Sequence, residues 1–276
     1  MPELPEVETI ARGVDARVRG ARIAHVWFGS HREPFKTPPA QQARGLGGRV
    51  LLSVERRGKH IVCTLGADQG VTAPCAEWVV HLGMTGRLLV TGQDSPRPAH
   101  THARLALDDG RELRFVDPRR FGRLELRDLQ RETPFAAPGA EPLTVDAAEF
   151  IALFRGRRTP IKAALLNQSL LAGVGNIYAD ESLFRAGIRP RRMAGRLSRA
   201  ELERLRQALR AVLHHAIRLG GSSVSDYVDA DGVRGFFQLE HCVYLRTGKP
   251  CRHCQTPIRR ILVAGRGTHY CPDCQR

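Results

Sequence analysis

The chain has 276 residues, of which 42% are hydrophobic and 26% are charged, a composition of folded globular proteins that excludes a mostly disordered chain. A formal net charge of +15 favours a polyanionic partner such as nucleic acid. The longest uncharged stretch, 163–179, contains Asn, Gln, Ser and Gly residues, so we expect no membrane span. Acidic residues occupy the start, where a secretion signal is positively charged, so we expect a cytoplasmic protein.

The N-terminal part is predicted to be β-rich after one opening helix. Apolar residues follow helical spacing from Pro5 to Val18. Short runs rich in β-branched or alternating apolar residues then predict strands at 49–54, 60–65, 77–82, 104–107 and 112–116. The pair Asp109-Gly110 between the last two runs is a strong hairpin signal. We therefore expect a β-sandwich-like domain over residues 1–132.

A stretch rich in Pro, Ala and Gly at 133–145 predicts a linker, and the pattern beyond it is helical over 146–240. Ser198 and Glu201 have the spacing of a capping box, and an apolar stripe continues from there to a pair of glycines. The following segment, 222–238, is rich in Gly and Asp and is predicted to be a mobile loop.

Four of the seven cysteines have the spacing of a zinc site. They lie in the last predicted domain, 241–276, as C-x2-C-x16-C-x2-C. This spacing predicts a closed, structural site for one Zn²⁺ held by four thiolates. Its ligands are Cys251, Cys254, Cys271 and Cys274. Between the pairs, 258–270 predicts a β-hairpin with its tip at 264–267, so the whole chain is expected to be α+β.

The first residues carry the clearest candidate for covalent chemistry. Removal of Met1 would expose Pro2 as a secondary amine. Attack of such an amine on a sugar C1′ gives a cationic iminium that promotes elimination. The adjacent Glu3 is placed to move protons. Proline and glutamate are also common at helix starts, so these residues alone leave a purely structural interpretation open.

Long motifs along the chain resemble the formamidopyrimidine-DNA glycosylase family, bacterial enzymes that remove oxidised purines. They are MPELPEVE at 1–8, HLGMTGRL at 81–88, DPRRFG at 117–122, GVGNIYADESLF at 173–184 and GRGTHYCPDC at 265–274. The resemblance implies a bifunctional DNA glycosylase and AP lyase that acts on double-stranded DNA containing oxidised bases or abasic sites by β,δ-elimination. It also implies a helix–two-turns–helix motif in the helical domain. We expect a monomer associated with the bacterial nucleoid.

The resemblance assigns roles to the candidate catalytic residues. Pro2 resembles the Schiff-base nucleophile, Glu3 a proton donor and Glu6 a supporting carboxylate near the opened sugar. Lys59 resembles a lysine that assists β-elimination. Only four of the 43 basic residues are lysines, and only lysine can be tuned to titrate near neutrality, which independently favours a specific role for Lys59. Arg266, at the predicted hairpin tip, resembles an arginine that enters the DNA and supports δ-elimination.

Three further residues resemble those that fill the gap left by an extruded base, namely Met84, Arg119 and Phe121. A base inside the stack cannot be attacked, so it must be flipped out, and apolar wedges can occupy its place. Without the resemblance, Met84 and Phe121 would be predicted as core residues.

Another group of residues resembles phosphate contacts. Its members are His100, Arg157, Lys162 and Asn176. The glycines before Asn176 allow backbone amides to approach a phosphate closely. Glu181 in the same motif either recognises the edge of a damaged base or caps or pairs within the helical domain.

Two other functions remain open on the sequence. One is the endonuclease VIII-like branch, which shares the N-terminal proline chemistry and prefers oxidised pyrimidines; Leu4 and the GVGNIYADE stretch favour the purine branch. The other is a non-catalytic zinc-dependent DNA-binding protein, against which the intact Pro2, Glu3 and Lys59 count.

Overall fold

The chain forms two compact units in a computed structural model. The first unit comprises Met1–Ala136 and Gly220–Gly235, and the second comprises Ala137–Leu219 and Phe236–Arg276. The residues that the structure describes are 1–31, 33–68, 70, 73–223 and 227–276.

Among the described residues, the first unit contains two helices and eight strands. In chain order they are α1 Leu4–Val18, β1 Ile23–Phe28, α2 Pro39–Leu46, β2 Val50–Arg57, β3 His60–Gly66, β4 Pro74–His81, β5 Arg87–Gly92, β6 Thr101–Leu107, β7 Arg111–Val116 and β8 Arg123–Asp128. The strands form two antiparallel sheets, in the orders β1-β6-β7-β5 and β2-β3-β4-β8. This confirms the β-rich domain with an opening helix.

One hydrophobic core joins both sheets and α1. Trp78 from one sheet and Phe115 from the other are fully buried in it, together with Ile10 and Val14 of α1. These helical positions lie four residues apart, so they point to the same face. Because this face is held by the core, the start of α1 has a fixed place on the sheets.

The segment Gly220–Gly235 belongs to the first unit, although it was predicted as part of the helical domain. Tyr227 and Ala230 are buried in the core of that unit, and the Ala230 carbonyl accepts the Val90 N–H at 3.1 Å. Burial of two apolar side chains against the sheets accounts for the correction. The loop predicted over 222–238 includes 224–226, which lie outside the described residues.

The second unit is helical and ends in a hairpin. Its elements are α3 Ala147–Phe154, α4 Ile161–Leu166, α5 Asn176–Arg185, α6 Arg199–Arg218, β9 Arg259–Val263 and β10 Arg266–Tyr270, with 3₁₀ turns at Ala194–Arg196 and Phe237–Glu240. These elements, with two sheets in the first unit, confirm the predicted α+β class. None of the described helices is long and apolar enough to cross a membrane.

The capping box predicted at the start of α6 is present. The Ser198 hydroxyl accepts the Glu201 N–H at 3.2 Å, and Glu201 Oε2 accepts the Ser198 N–H at 2.8 Å. Arg192 donates to the same carboxylate, which lowers the pKa of Glu201 to about 2. The sequence pattern therefore places the start of this helix correctly.

Candidate active site and zinc centre

The first turn of α1 places Pro2 at the positive end of a helix dipole. Pro2 is buried and lies directly before Glu3, the N-cap residue. Glu3 and Glu6 form a capping box, in which Glu6 Oε2 accepts the Glu3 N–H at 2.8 Å and the Glu3 side chain accepts the Glu6 N–H. Pro5 is tolerated because the first amides of a helix have no intrahelical acceptor. The helix that follows Pro2 thus fixes its position.

Glu6 also joins the start of α1 to the segment after α6. Its Oε1 accepts the Ser222 N–H at 2.7 Å, and only 2% of Glu6 is exposed. Gly221 has φ +81°, and a Cβ there would lie 3.0 Å from the Glu6 side chain, so this close approach requires glycine. Each Glu6 oxygen therefore accepts a backbone N–H, and the carboxylate holds the backbone next to Pro2 in place.

Lys59 lies with Gly58 in the two-residue turn between β2 and β3. The hairpin that carries it is tied to α1 by an ion pair between Arg56 Nε and Glu8 Oε2 at 2.7 Å, in which the Arg56 side chain is 5% exposed. Partly buried pairs of this kind constrain geometry more than exposed ones. The turn with Lys59 and the helix after Pro2 therefore belong to one framework.

Two histidines lie beside this turn, one from β3 and one from β4. The rings of His60 and His81 have centroids 4.8 Å apart, and the Phe135 ring lies 4.7 Å from His60. Burial lowers the pKa of His60 to about 4. Burial, followed by the charges of His60 and Lys59, lowers the pKa of His81 to about 4. Both imidazoles are therefore neutral at pH 7.

The loop between β4 and β5 and the loop between β7 and β8 pack backbone to backbone. Gly83, between β4 and β5, has φ +63°, and a Cβ there would lie 2.5 Å from the Phe121 carbonyl carbon. The fully buried Asp117 joins the loops, because its Oδ1 accepts the Thr85 hydroxyl at 2.6 Å and its Oδ2 accepts the Gly122 N–H at 2.8 Å. Sequence reasoning missed this residue, although it begins the DPRRFG motif.

These loops expose the predicted insertion residues. Met84 is 42% exposed and Phe121 is 50% exposed, and the Arg119 guanidinium lies 4.8 Å from the centre of the Phe121 ring. This exposure excludes the core interpretation of Met84 and Phe121. His100 is also exposed, with φ +62°, and its carbonyl accepts the Asp117 N–H at 3.0 Å. The surface therefore presents apolar and cationic groups side by side.

The predicted phosphate contacts of the second unit fall into two groups. Arg157 is exposed after α3. Lys162 is 0% exposed, and its Nζ lies 2.7 Å from Asp180 Oδ1 and donates to the Gly267 carbonyl at 2.9 Å. The Lys162 ammonium is therefore buried against oxygens of its own unit. The Asn176 amide likewise donates to the Gly267 carbonyl, at 3.1 Å.

Glu181 has the structural role that the sequence left open. It is 0% exposed, and its carboxylate accepts the backbone N–H groups of Cys242, Val243 and Tyr244 at 2.9–3.1 Å. Burial raises the pKa of Glu181, and these three hydrogen bonds act in the opposite direction. Recognition of a damaged base by Glu181 is therefore not supported, since its oxygens face the chain segment after the 3₁₀ turn.

The four cysteines predicted to bind zinc lie together. Their sulfur atoms are all within 4.8 Å of one another. The Cys251–Cys274 and Cys254–Cys271 sulfur pairs are 3.9 and 3.4 Å apart, close to the ~3.8 Å expected around a tetrahedral ion with bonds of about 2.3 Å. The His253 N–H points to Cys251 Sγ at 3.4 Å, which helps to stabilise a thiolate. The site fits one structural Zn²⁺.

Arg266 is the first residue of β10 and is exposed. The turn is shorter than predicted, because Val263 pairs directly with Arg266 and only Ala264 and Gly265 lie between them, both with positive φ. Arg266 therefore lies beside the turn, on a strand with a defined register, and not within the tip predicted at 264–267.

The chain is strongly basic, exposes Met, Arg and Phe side chains together, and carries a four-cysteine hairpin on a helical unit. These features are typical of a DNA-binding protein with a structural zinc site. Models of the formamidopyrimidine-DNA glycosylase N-terminal domain, of the H2TH domain of the same proteins, and of the zinc finger found in FPG and IleRS match 1–124, 137–228 and 248–276. The chain belongs to the formamidopyrimidine-DNA glycosylase family.

Individual members of this family are similar to the chain over its full length. A formamidopyrimidine-DNA glycosylase of Solibacter usitatus is 46% identical over 278 residues, covering all of both chains. The crystal structure of MutM (FPG) from Thermus thermophilus is 43% identical, with a TM-score of 0.84 over 99% of this chain and 98% of that chain. A Lactococcus lactis FPG mutant in complex with Fapy-dG containing DNA is 34% identical, with a TM-score of 0.88 over all of both chains.

Proposed function

We propose that this chain excises oxidised purines, 8-oxoguanine and formamidopyrimidines, from double-stranded DNA and then cleaves the abasic strand by β,δ-elimination. The observation that carries the proposal is Pro2, buried at the positive end of α1 with Glu3 next to it and Glu6 holding the backbone between them. The Fapy-dG containing DNA bound by the Lactococcus lactis relative supports a purine substrate.

In the first step, the lone pair of the Pro2 amine forms a bond to C1′ of the damaged nucleotide after Met1 has been removed. The base leaves with the electron pair of the glycosidic bond and takes up the proton that the Pro2 nitrogen loses. The C1′–O4′ bond then opens, and Glu3 protonates the ring oxygen. The resulting iminium is cationic and acidifies the C2′ proton. The C2′ proton passes to a general base, and the 3′ phosphate leaves with the electron pair of its C3′–O bond. Loss of the C4′ proton, assisted by Arg266, then expels the 5′ phosphate, and water hydrolyses the iminium to release the sugar fragment and the free Pro2 amine.

The DNA is held by groups outside this centre. Met84, Phe121 and Arg119 fill the gap left by the extruded base, and the exposed His100 and Arg157 contact backbone phosphates. Zinc folds the hairpin that carries Arg266 and takes no part in the chemistry. We further propose that the protein acts as a monomer on the bacterial nucleoid, where this substrate arises.

A panel of lesions tests the substrate class. Duplexes with 8-oxoguanine opposite C, thymine glycol opposite A, and no lesion are compared in single-turnover excision. We expect the 8-oxoguanine duplex to react at least tenfold faster than the thymine glycol duplex. Preference for thymine glycol would instead identify an endonuclease VIII-like enzyme, and binding without any excision would identify a non-catalytic DNA-binding protein.

A further inference from the structure

We propose that Asp180 and His269 are positioning residues for Arg266, and that they fix β10 on α5 so that the Arg266 guanidinium is held for δ-elimination. The inference rests on the proposed function for the role of Arg266. It concerns two residues that neither the zinc site nor the predicted DNA contacts use.

Asp180 connects the hairpin to the helices through both of its oxygens. Its Oδ2 accepts the His269 backbone N–H at 2.8 Å and lies 3.2 Å from His269 Nδ1. A carboxylate can only accept, so Nδ1 carries the hydrogen. The other oxygen of Asp180, Oδ1, lies 2.7 Å from Lys162 Nζ. Asp180 and Lys162 are 0% exposed and His269 is 4% exposed, so water does not weaken these contacts.

The same cluster reaches the backbone of Arg266. Lys162 Nζ donates to Thr268 Oγ1 at 2.8 Å and to the Gly267 carbonyl at 2.9 Å, and the Thr268 hydroxyl donates to the Arg266 carbonyl at 3.0 Å. A continuous path of polar contacts therefore runs from Asp180 on α5 to the peptide group of Arg266.

The zinc ligands alone leave this end of the hairpin weakly constrained. Cys271 follows β10 directly and anchors the end of the strand, whereas Arg266 lies at its start, beside the turn. A two-stranded hairpin is marginally stable by itself in water. The contacts of His269 and Thr268 occur between these two points, and they hold the strand where zinc does not.

The experiment uses the full zinc-loaded protein and a duplex with a preformed abasic site, and it measures the ratio of δ- to β-elimination products. His269→Phe keeps a ring beside Tyr244, whose ring lies 5.1 Å away, but cannot donate to Asp180. His269→Asn restores a donor near the position of Nδ1. Arg266→Ala is the reference for loss of the δ step. Leu262→Ser is the matched control on the hairpin, since Leu262 is 59% exposed and lies outside the cluster.

We expect His269→Phe to lower the δ-to-β ratio at least fivefold, with β-elimination and DNA affinity within twofold of the unchanged protein. His269→Asn should recover most of the ratio, Leu262→Ser should keep it, and the double variant of His269→Phe with Arg266→Ala should fall no further than Arg266→Ala. Amide hydrogen exchange across β10 should accelerate in His269→Phe. Asp180→Asn, which keeps the shape of the side chain, should lower the ratio in the same way.

Two results would overturn the inference. One is an unchanged ratio together with unchanged exchange across β10 in His269→Phe. The other is an equal loss of β-elimination, DNA affinity and zinc content, which would assign the cluster to folding alone. If Arg266→Ala itself leaves the ratio unchanged, the proposed role of Arg266 fails, and hydrogen exchange across β10 still decides whether Asp180 and His269 hold the strand.

Discussion

Glu3, the N-cap of α1, and Glu6, in its first turn, have different surroundings and therefore different roles. The Glu6 carboxylate accepts hydrogen bonds from the backbone N–H groups of Glu3 and Ser222. Glu3 instead lies next to Pro2, the proposed nucleophile. A carboxylate that accepts backbone hydrogen bonds on both oxygens is suited to fixing geometry. The proposed chemistry thus needs Glu3 to move a proton and Glu6 to keep Pro2 still.

Glu6→Gln should destabilise the first unit. The amide nitrogen of glutamine would face one of the two N–H donors, which leaves a buried donor without an acceptor at a cost of about 1–3 kcal/mol. Thermal unfolding monitored by circular dichroism measures the effect. Glu55→Gln, at an exposed position of β2, is the control and should change the melting temperature little. Equal melting temperatures for both variants would contradict the positioning role.

Lys59→Ala should slow excision of an intact damaged base more than cleavage of a preformed abasic site. At an abasic site the iminium forms without departure of a base, so less assistance from the lysine is needed. Single-turnover rates on the two substrates give the comparison, and we expect at least a tenfold difference between the two losses. Lys249→Ala, an exposed lysine elsewhere, is the control. Equal losses on both substrates would count against this role.

Buried charges in the second unit limited what could be predicted at the residue scale. Lys162 was predicted as a phosphate contact, and Glu181 was predicted either to recognise a damaged base or to cap or pair within the helical domain. Their partners are far away along the chain, 105 residues from Lys162 at Gly267 and 61 residues from Glu181 at Cys242. No local spacing reveals such partners, because tertiary structure alone brings them together. The zinc ligands, in contrast, are predicted directly from the short C-x2-C spacing of each cysteine pair.

At the scale of elements, the sequence predicted five of the eight strands that the structure describes in the first unit. The three that were missed, β1, β5 and β8, are all edge strands of their sheets. Edge strands carry charged and polar residues that prevent association with other chains, and β8 reads RLELRD. This accounts for β8, whereas β1 (IAHVWF) and β5 (RLLVTG) are rich in apolar residues and their omission has no such cause.

The two buried histidines on β3 and β4, His60 and His81, should make the stability of the first unit sensitive to acid. The pKa of His60 and of His81 is lowered to about 4 in the folded chain from an ordinary value of 6.5. The unfolded chain therefore binds more protons between these values, so the free energy of unfolding should fall as the pH drops from 6.5 towards 4. Each histidine can contribute at most about 3 kcal/mol to this fall in the free energy of unfolding.

Urea unfolding at several pH values measures this dependence. His60→Phe should weaken it, because phenylalanine cannot take up a proton and fits beside Phe135 and His81. His25→Gln, at an exposed position of β1, is the control and should leave the slope unchanged. A free energy of unfolding that stays constant between pH 6.5 and 4 would refute the expectation.

At the scale of the whole molecule, zinc and the N-terminal chemistry lie in different compact units. The zinc hairpin depends on its metal because the energy of metal binding is the energy of folding for such a small element. The first unit has a core of its own, built from both sheets and α1. Loss of zinc should therefore affect DNA binding without unfolding the β-rich unit.

Cys254→Ser should abolish tight DNA binding and strand incision. The expected loss of affinity is at least a hundredfold in a binding titration, because the hairpin with Arg266 loses its anchor. Near-ultraviolet circular dichroism, which reports on the buried Trp78, should remain unchanged. Cys63→Ala, a buried cysteine outside the zinc site, is the control that keeps zinc and DNA binding. Full incision by a verified zinc-free protein would contradict this account.

The central claim is that the nitrogen of Pro2 is the nucleophile, and one measurement tests it directly. The protein is mixed with 8-oxoguanine DNA, the complex is reduced with borohydride, and the covalent adduct is mapped by mass spectrometry. The account predicts a chain that lacks Met1 and carries the reduced sugar on Pro2. An adduct mapped to a lysine such as Lys59, with Pro2 unmodified, would contradict it.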